Sequence, residues 1–302
     1  MQSNQVQTIN VPEEERSSRI PSAETVGAAV SLLQRDGIVV LKQVVELDAV
    51  KTINKILVTK AEDLASDPAT HFNQTKAARN ISQPPPTTPE LMFDTLWANP
   101  FAAAVSAAIL GPRPRVHYAN GNTALQSTER QTVHADLDHN HLRFPFAIVA
   151  NFYMTDTSAT NGSTEIWVGS HRDTSVADHV DTRDAPGGLS TIRPELVEAR
   201  RARVPPVQPV FQAGDLVLRD VRLWHAGMPN RTCIPRVMLA FVIFPWWYKP
   251  LVRLSLPAEA KPLVHRWTAD TGLEYDVHWL DGENLQKEFF VTLESANHAL
   301  AY

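Results

Sequence analysis

The feature that most constrains this chain is a change of period near Arg115. Upstream, apolar residues recur every three or four positions: Val26, Ala29, Val30 and Leu33 within residues 23–35, then Val50, Ile53, Ile56 and Leu57 within 47–65. That spacing predicts two amphipathic helices. Downstream, short β-type runs replace it, at 115–125, 146–153, 164–168, 215–218 and 236–244. Turn chemistry separates them, as Asn161-Gly162, Gly169-Ser170, Gly187-Gly188 and Ala213-Gly214. Short strands punctuated in this way, after leading helices, predict a mainly β fold with flanking helices, a barrel or jelly roll braced from outside.

The remaining segments fill in around that frame. Residues 1–22 read as a flexible amino-terminal arm, and 23–302 as a single domain large enough to bury a sizeable core. Asp36-Gly37 stops the first helix, and Ile38-Val39-Val40-Leu41 follows as a short strand. Residues 66–88 break the pattern and read as a long loop, since Pro84-Pro85-Pro86 cannot be helix or central strand. A loop of this length is uncommon and often functional. Two helical segments follow, near 89–97 and 100–110. Residues 170–212 hold no clear strand and read as an insertion. The tail from 251 is mixed, with a final helix expected at 283–291.

Composition removes several function classes. The formal net charge is −5 and the basic residues do not cluster, so a nucleic-acid partner has no electrostatic footprint. A single cysteine, Cys233, excludes an intramolecular disulfide framework and any cysteine-built zinc or iron–sulfur site, and fits a reducing compartment. No apolar run approaches the roughly 20 residues that span a bilayer. The polar, acidic start lacks the basic and apolar regions of a secretory signal, and the last residues match no anchor. A soluble cytoplasmic protein without a membrane partner is the expectation.

Within the β region lies a metal-binding pattern. His134-Ala135-Asp136 places an imidazole and a carboxylate two residues apart, on one side of a strand. Two such ligands leave most of a coordination sphere open. A third is offered by His225, after the turn and strand Gly214-Asp215-Leu216-Val217-Leu218. Two histidines and a carboxylate on one face of an octahedral iron are characteristic of non-haem Fe(II) oxygenases. Arg236 then opens the apolar run Val237-Met238-Leu239-Ala240-Phe241. A guanidinium there can pair bidentately with a carboxylate beside the metal. Each piece alone has a plainer reading: a surface turn, a hydrogen-bonded core histidine, a surface salt bridge. The set is specific because order, spacing and strand context agree. Two other readings stay open on the residues: a non-catalytic jelly-roll binding protein, and a zinc enzyme on a cupin-like barrel.

Taken with Asp36-Gly37-Ile38, Gln131-Thr132-Val133-His134-Ala135-Asp136, Asn161-Gly162-Ser163-Thr164-Glu165, Gly169-Ser170-His171 and Gly214-Asp215…His225…Asn230…Arg236, the chain resembles the phytanoyl-CoA dioxygenase family over residues 24–250. The resemblance implies a double-stranded β-helix, that is, a jelly roll. It implies Fe(II) held by His134, Asp136 and His225, with 2-oxoglutarate and O₂ as co-substrates and Arg236 on the distal carboxylate. It also implies 2-oxoglutarate contacts from Gln131 and Thr164. The activity implied is oxidation of a small organic substrate coupled to conversion of 2-oxoglutarate to succinate and CO₂. Hydroxylation is the first outcome, with desaturation, ring formation or epimerisation following the same first step. A specialised metabolite is the expected kind of substrate. Asp136 stands where halogenating relatives carry a small residue, so halogenation is not expected.

Several further residues carry expectations. The family often folds a lid upstream of the barrel, which makes Asn80 and Gln83 candidate substrate contacts. His139 and His141 read as a polar loop rather than a second metal site, and His171 as a turn residue. Trp167 and Trp224 read as core. Trp246-Trp247-Tyr248-Lys249 either seals a barrel end or forms a subunit contact, which would make the protein a homodimer.

Overall fold

The leading helices form where their apolar stripes can be buried. The computed structural model describes residues 5–137, 144–172, 174–180, 191–249 and 253–281. Thr8–Ile9 (β1) and Glu13–Ser18 (α1) begin the chain. Ala23–Asp36 (α2) starts at Ser22, whose hydroxyl accepts from the Thr25 amide, and ends at Gly37. Gly37 has φ 78° and its N–H closes on Leu33 O, a left-handed cap that favours glycine. Ile38–Leu41 (β2) follows. Leu47–Ser66 (α3) buries Val50, Ile53, Leu57 and Ala61 on one stripe. A fully buried Leu or Ile of this kind contributes about 1.5–3 kcal/mol.

Asn80–Ser82 (β3) is followed by Asp94–Trp97 (α4) and Pro100–Leu110 (α5). Asn99 caps α5 by accepting from Phe101 and Ala102 amides. Then come Arg115–Ala124 (β4), Ile148–Tyr153 (β5), Glu165–Ile166 (β6), Pro194–Arg203 (α6), Leu216–Asp220 (β7), His225–Ala226 (β8) and Met238–Phe244 (β9). Leu254–Pro257 (β10), Lys261–Thr271 (α7), Glu274–Tyr275 (β11) and Val277–Leu280 (β12) complete the described elements.

The main sheet has the order β1-β2-β7-β5-β9-β4-β11, with β3 added to β4. Its central pairings are antiparallel; β1 joins β2, and β11 joins β4, in parallel. Alternation along the strands decides what faces where. Ile148, Ala150, Phe152, Leu216, Leu218, Leu239, Phe241 and Ile243 lie in the core shared with the helices. Asn151, Tyr153, Val217, Arg219 and Met238 face the other way, into the barrel. The opposing layer contains the antiparallel pair β6–β8, extended by bridges His134↔His225, Asn161↔Asn230 and Ile166↔Val207. The result is a jelly roll of the double-stranded β-helix kind, with helices packed outside its larger sheet.

Some boundaries differ from the sequence expectation for local reasons. Strand β7 starts at Leu216 because Asp215 is spent on the turn, accepting from the Gln43 and Gln212 amides and from Lys42. The expected strand at 164–168 shortens to Glu165–Ile166. The 170–212 segment carries α6, which its polar composition concealed. The arm expected at 1–22 contributes β1 to the main sheet. The tail supplies the parallel pair β10–β12. The helix expected at 283–291, and His139 and His141, lie outside the described residues. No described helix is long and apolar enough to cross a membrane.

Candidate metal centre

Backbone pairing brings the three expected ligands together. The His134 amide donates to His225 O at 3.0 Å and the His225 amide to His134 O at 2.9 Å, so the two residues stand directly opposite. Their rings lie 4.2 Å apart, centroid to centroid. Asp136, two residues on, donates its amide to Val221 O and projects to the same side. Asp136 Oδ1 is 3.5 Å from His225 Nε2 and 4.0 Å from His134 Nε2. One ligand atom from each residue falls within 4.8 Å of the others. A small cation can sit between them with its far side open.

The histidines are oriented from behind. His134 Nδ1 lies 2.8 Å from Thr132 O, and His225 Nδ1 lies 2.9 Å from Leu223 O. A carbonyl can only accept, so each Nδ1 carries the proton and each Nε2 keeps its lone pair for a metal. Burial holds both imidazoles below their usual titration range, His225 furthest, with the neighbouring Arg219 adding to the effect there. They are neutral at physiological pH, as ligands must be. Burial alone would raise the Asp136 carboxyl, but the Arg219 cation and then the two imidazoles outweigh it, and Asp136 stays ionised well below the usual carboxylate range. Arg219 Nη2 donates to the outer oxygen, Asp136 Oδ2, and Arg219 Nε donates to Asn151 Oδ1 at 3.0 Å.

A small cavity adjoins the cluster, with Gln131, Asn151, Tyr153, Thr164, Arg219 and His225 among its lining residues. Its volume is about 30 Å³, room for one or two water molecules. Arg236 lies behind it. The residue is 1% exposed and joins Ala124 in a bridge just before β9. Its guanidinium lies 5.9 Å over the Tyr153 ring. Nη2 donates to Gly162 O at 3.1 Å, while Nε and Nη1 are buried without a partner among the described residues. Burial disfavours its charge and Tyr153 partly offsets this; an arginine nonetheless remains protonated. A buried cation with two unspent nitrogens, Nε and Nη1, fits an incoming carboxylate.

The Asn161–Glu165 turn serves this arrangement. Gly162 has φ 80°, and a Cβ there would meet Met228 O at 2.5 Å. Only glycine delivers its carbonyl to Arg236 in that conformation. Thr164, two residues on, lines the cavity and lies 3.2 Å from the Tyr153 hydroxyl. Asn230 braces the return to Arg236 by donating to Ala124 O and Ile234 O.

The other expected site residues are placed as follows. Gln131 is buried, accepts from the Gly227 amide at 2.7 Å and donates to Asn73 O at 3.2 Å, tying the His134 segment to the chain after His225. Asn80 donates to Ala78 O, its Oδ1 has no partner among the described residues, and a side-chain carbon built on Gly227 would come within 3.2 Å of that oxygen. Gln83 is not at the centre. Its amide donates to Leu57 O and accepts from Thr123 Oγ1, and it faces a separate groove of about 500 Å³ between α3 and the triple proline. Trp167 and Trp224 pack in an apolar cluster with Val133 and Ala135. His171 is buried beneath α2, with Nε2 at 3.2 Å from Gln34 O.

Arg219, Asn151 and Tyr153 are site residues that sequence reasoning passed over. The available signal was polarity at inward positions of otherwise apolar strands: Arg219 after Leu216-Val217-Leu218, and Asn151 between Ala150 and Phe152.

Comparison with known proteins places these features. The crystal structure of EctD from S. alaskensis in its apoform superposes with a TM-score of 0.56 at 20% identity, covering 74% of this chain and 77% of that one. A second EctD structure, with 2-oxoglutarate and 5-hydroxyectoine, matches at 0.53 and 21% identity over 74% and 76%. SnoN, a non-haem alpha-ketoglutarate-dependent epimerase from nogalamycin biosynthesis, matches at 0.53 and 18% identity over 74% and 82%. Likeness at this level of identity speaks for the jelly roll. The family model described as phytanoyl-CoA dioxygenase (PhyH) goes further, since it matches residues 33–238, from α2 to the start of β9, with all three candidate ligands and Arg236 inside the match. On that match over more than half its length, the chain belongs to the phytanoyl-CoA dioxygenase (PhyH) family.

Proposed function

We propose that this protein is an Fe(II)- and 2-oxoglutarate-dependent oxygenase that uses O₂ to oxidise a small organic molecule. One observation carries the reading. A His134–Asp136–His225 cluster, with both Nδ1 atoms engaged on carbonyls, lies beside a cavity backed by a buried, two-thirds unspent guanidinium on Arg236. His134, Asp136 and His225 would hold the iron, which when bound supplies O₂ activation coupled to oxidative decarboxylation of 2-oxoglutarate. Arg236 would fix the distal carboxylate of the co-substrate. Thr164 and Gln131 stand on the walls of the same cavity, Gln131 also holding the two ligand-bearing segments in register. His134, His225 and Arg236 are buried, while Asp136 keeps part of its side chain exposed. The family membership and the ligands of the EctD and SnoN structures, 2-oxoglutarate and Fe3+ with alpha ketoglutarate, favour the same cofactors here.

The finer reading is hydroxylation of a specialised metabolite. Epimerisation is the second reading, favoured by the likeness to SnoN. A binding protein without metal has no use for paired neutral imidazoles and an unspent buried arginine, and a zinc hydrolase has no use for Arg236.

The test is direct. Purified protein reconstituted anaerobically with Fe(II) is given 2-oxoglutarate and air, and succinate is measured. Succinate formation that requires both Fe(II) and 2-oxoglutarate, and that vanishes in His225→Ala, supports the proposal. Its absence in metal-loaded wild type, across a panel of candidate substrates, sinks it.

A further inference from the structure

We propose that Arg219 is a second carboxylate-binding residue of this site, offering Nη1 to a carboxylate oxygen beside the metal ligands; the inference rests on the iron and 2-oxoglutarate reading above. Arg219 lies at an inward register of β7, is 7% exposed, and lines the same cavity as Tyr153, Thr164 and His225. Two of its three nitrogens are used, Nε on Asn151 Oδ1 and Nη2 on Asp136 Oδ2. Those contacts fix the plane of the guanidinium. Nη1 is buried and has no partner among the described residues.

A purely structural arginine in this barrel looks different. Arg222, three residues on, closes its fork on one carboxylate, with Nε at 2.8 Å from Asp220 Oδ1 and Nη2 at 2.6 Å from Asp220 Oδ2. Arg219 instead divides its fork between a neutral amide and one oxygen of a ligand. That leaves Nη1 unspent at a desolvated position of a residue that lines the cavity, where an unmade charged hydrogen bond is costly. Charge balance points the same way. Around the cavity the described residues set one carboxylate, Asp136, against two buried guanidiniums, Arg219 and Arg236. Fe(II) and dianionic 2-oxoglutarate cancel each other, so one positive charge remains in excess. A substrate carrying one carboxylate removes it. The co-substrate's own 1-carboxylate is the other source of the same chemistry.

The experiment uses full-length protein loaded with Mn(II) and kept anaerobic, as wild type, Arg219→Gln and Arg219→Lys. Lysine keeps a cation beside Asp136 but lacks the fork. Mn(II) affinity is measured first, then calorimetric binding of 2-oxoglutarate and of 2-oxobutyrate, which retains only the 1-carboxylate. The 2-oxoglutarate-saturated proteins are next titrated with acetate, benzoate and the corresponding amides. A carboxylate-over-amide preference in wild type that falls roughly 10- to 100-fold in both variants, with 2-oxoglutarate binding retained, assigns Nη1 to the substrate. A comparable loss in both 2-oxoglutarate and 2-oxobutyrate binding, with Arg219→Lys still binding Mn(II), assigns it to the co-substrate. Variants that match wild type in both arms, or that change Mn(II) affinity alone, overturn the proposal. Wild type that binds neither Mn(II) nor 2-oxoglutarate overturns the functional reading itself, and this inference with it.

Discussion

Replacing Arg236 by methionine separates what this residue does for stability from what it does for binding. The guanidinium is 1% exposed and, among the described residues, makes one hydrogen bond, to Gly162 O, and leaves Nε and Nη1 unspent. Removing an uncompensated buried charge in favour of an apolar side chain of similar volume is neutral or stabilising. The unfolding midpoint of ligand-free Arg236→Met is therefore expected to stay level or rise. Binding of 2-oxoglutarate moves the other way. Loss of one partner from a buried, charge-assisted pair costs about 2–5 kcal/mol, which is roughly 30-fold to several thousand-fold in Kd. Arg236→Lys keeps charge without geometry and falls between. The assay is anaerobic calorimetry of the Mn(II)-loaded proteins with 2-oxoglutarate, beside metal content and a urea titration. Metal content is expected to be normal, because Arg236 contributes no ligand atom. A Kd for 2-oxoglutarate within about threefold of wild type would refute the argument, since an exposed salt bridge is worth only about 0–1 kcal/mol. A sharp loss of ligand-free stability would refute it equally, by showing that the buried charge was already compensated.

Other expectations follow from the same geometry. His134→Ala, Asp136→Ala and His225→Ala should each abolish iron binding and succinate formation while far-ultraviolet circular dichroism stays that of wild type. Added chloride or bromide should yield no halogenated product by mass spectrometry, because Asp136 offers a carboxylate where halogenating relatives carry a small residue. Burial lowers the titration of His134, His171 and His225 in the folded, metal-free protein. The unfolded chain then binds more protons as pH drops below about 6.5, so stability present above that pH is lost towards the depressed folded values. Urea midpoints from pH 8 to 5 should decline accordingly, and His171→Asn should flatten the decline without altering metal affinity at pH 7.5.

The sequence by itself determined the class of fold and singled out the candidate ligands. Helical spacing before Arg115 and alternating β runs after it encode burial, and burial is local enough to read: residues 100–110 were expected as a helix and α5 is Pro100–Leu110. His134, Asp136, His225 and Arg236 were legible because strand period and turn spacing constrain which side chains share a face. What followed from resemblance was the pairing of Gln131 and Thr164 with the co-substrate, and the tertiary structure sets both on one cavity. Only that structure decided the rest. Gln83 and Asn80 lie three residues apart and look alike in sequence, yet the register of β3 on β4 turns Gln83 onto Thr123 and α3 and leaves Asn80 near Gly227. Arg219 was invisible for a related reason. A lone charge in an apolar strand has no local partner to announce its role, and its meaning comes from Asp136 and Asn151, 83 and 68 positions away, which meet it only when the barrel closes.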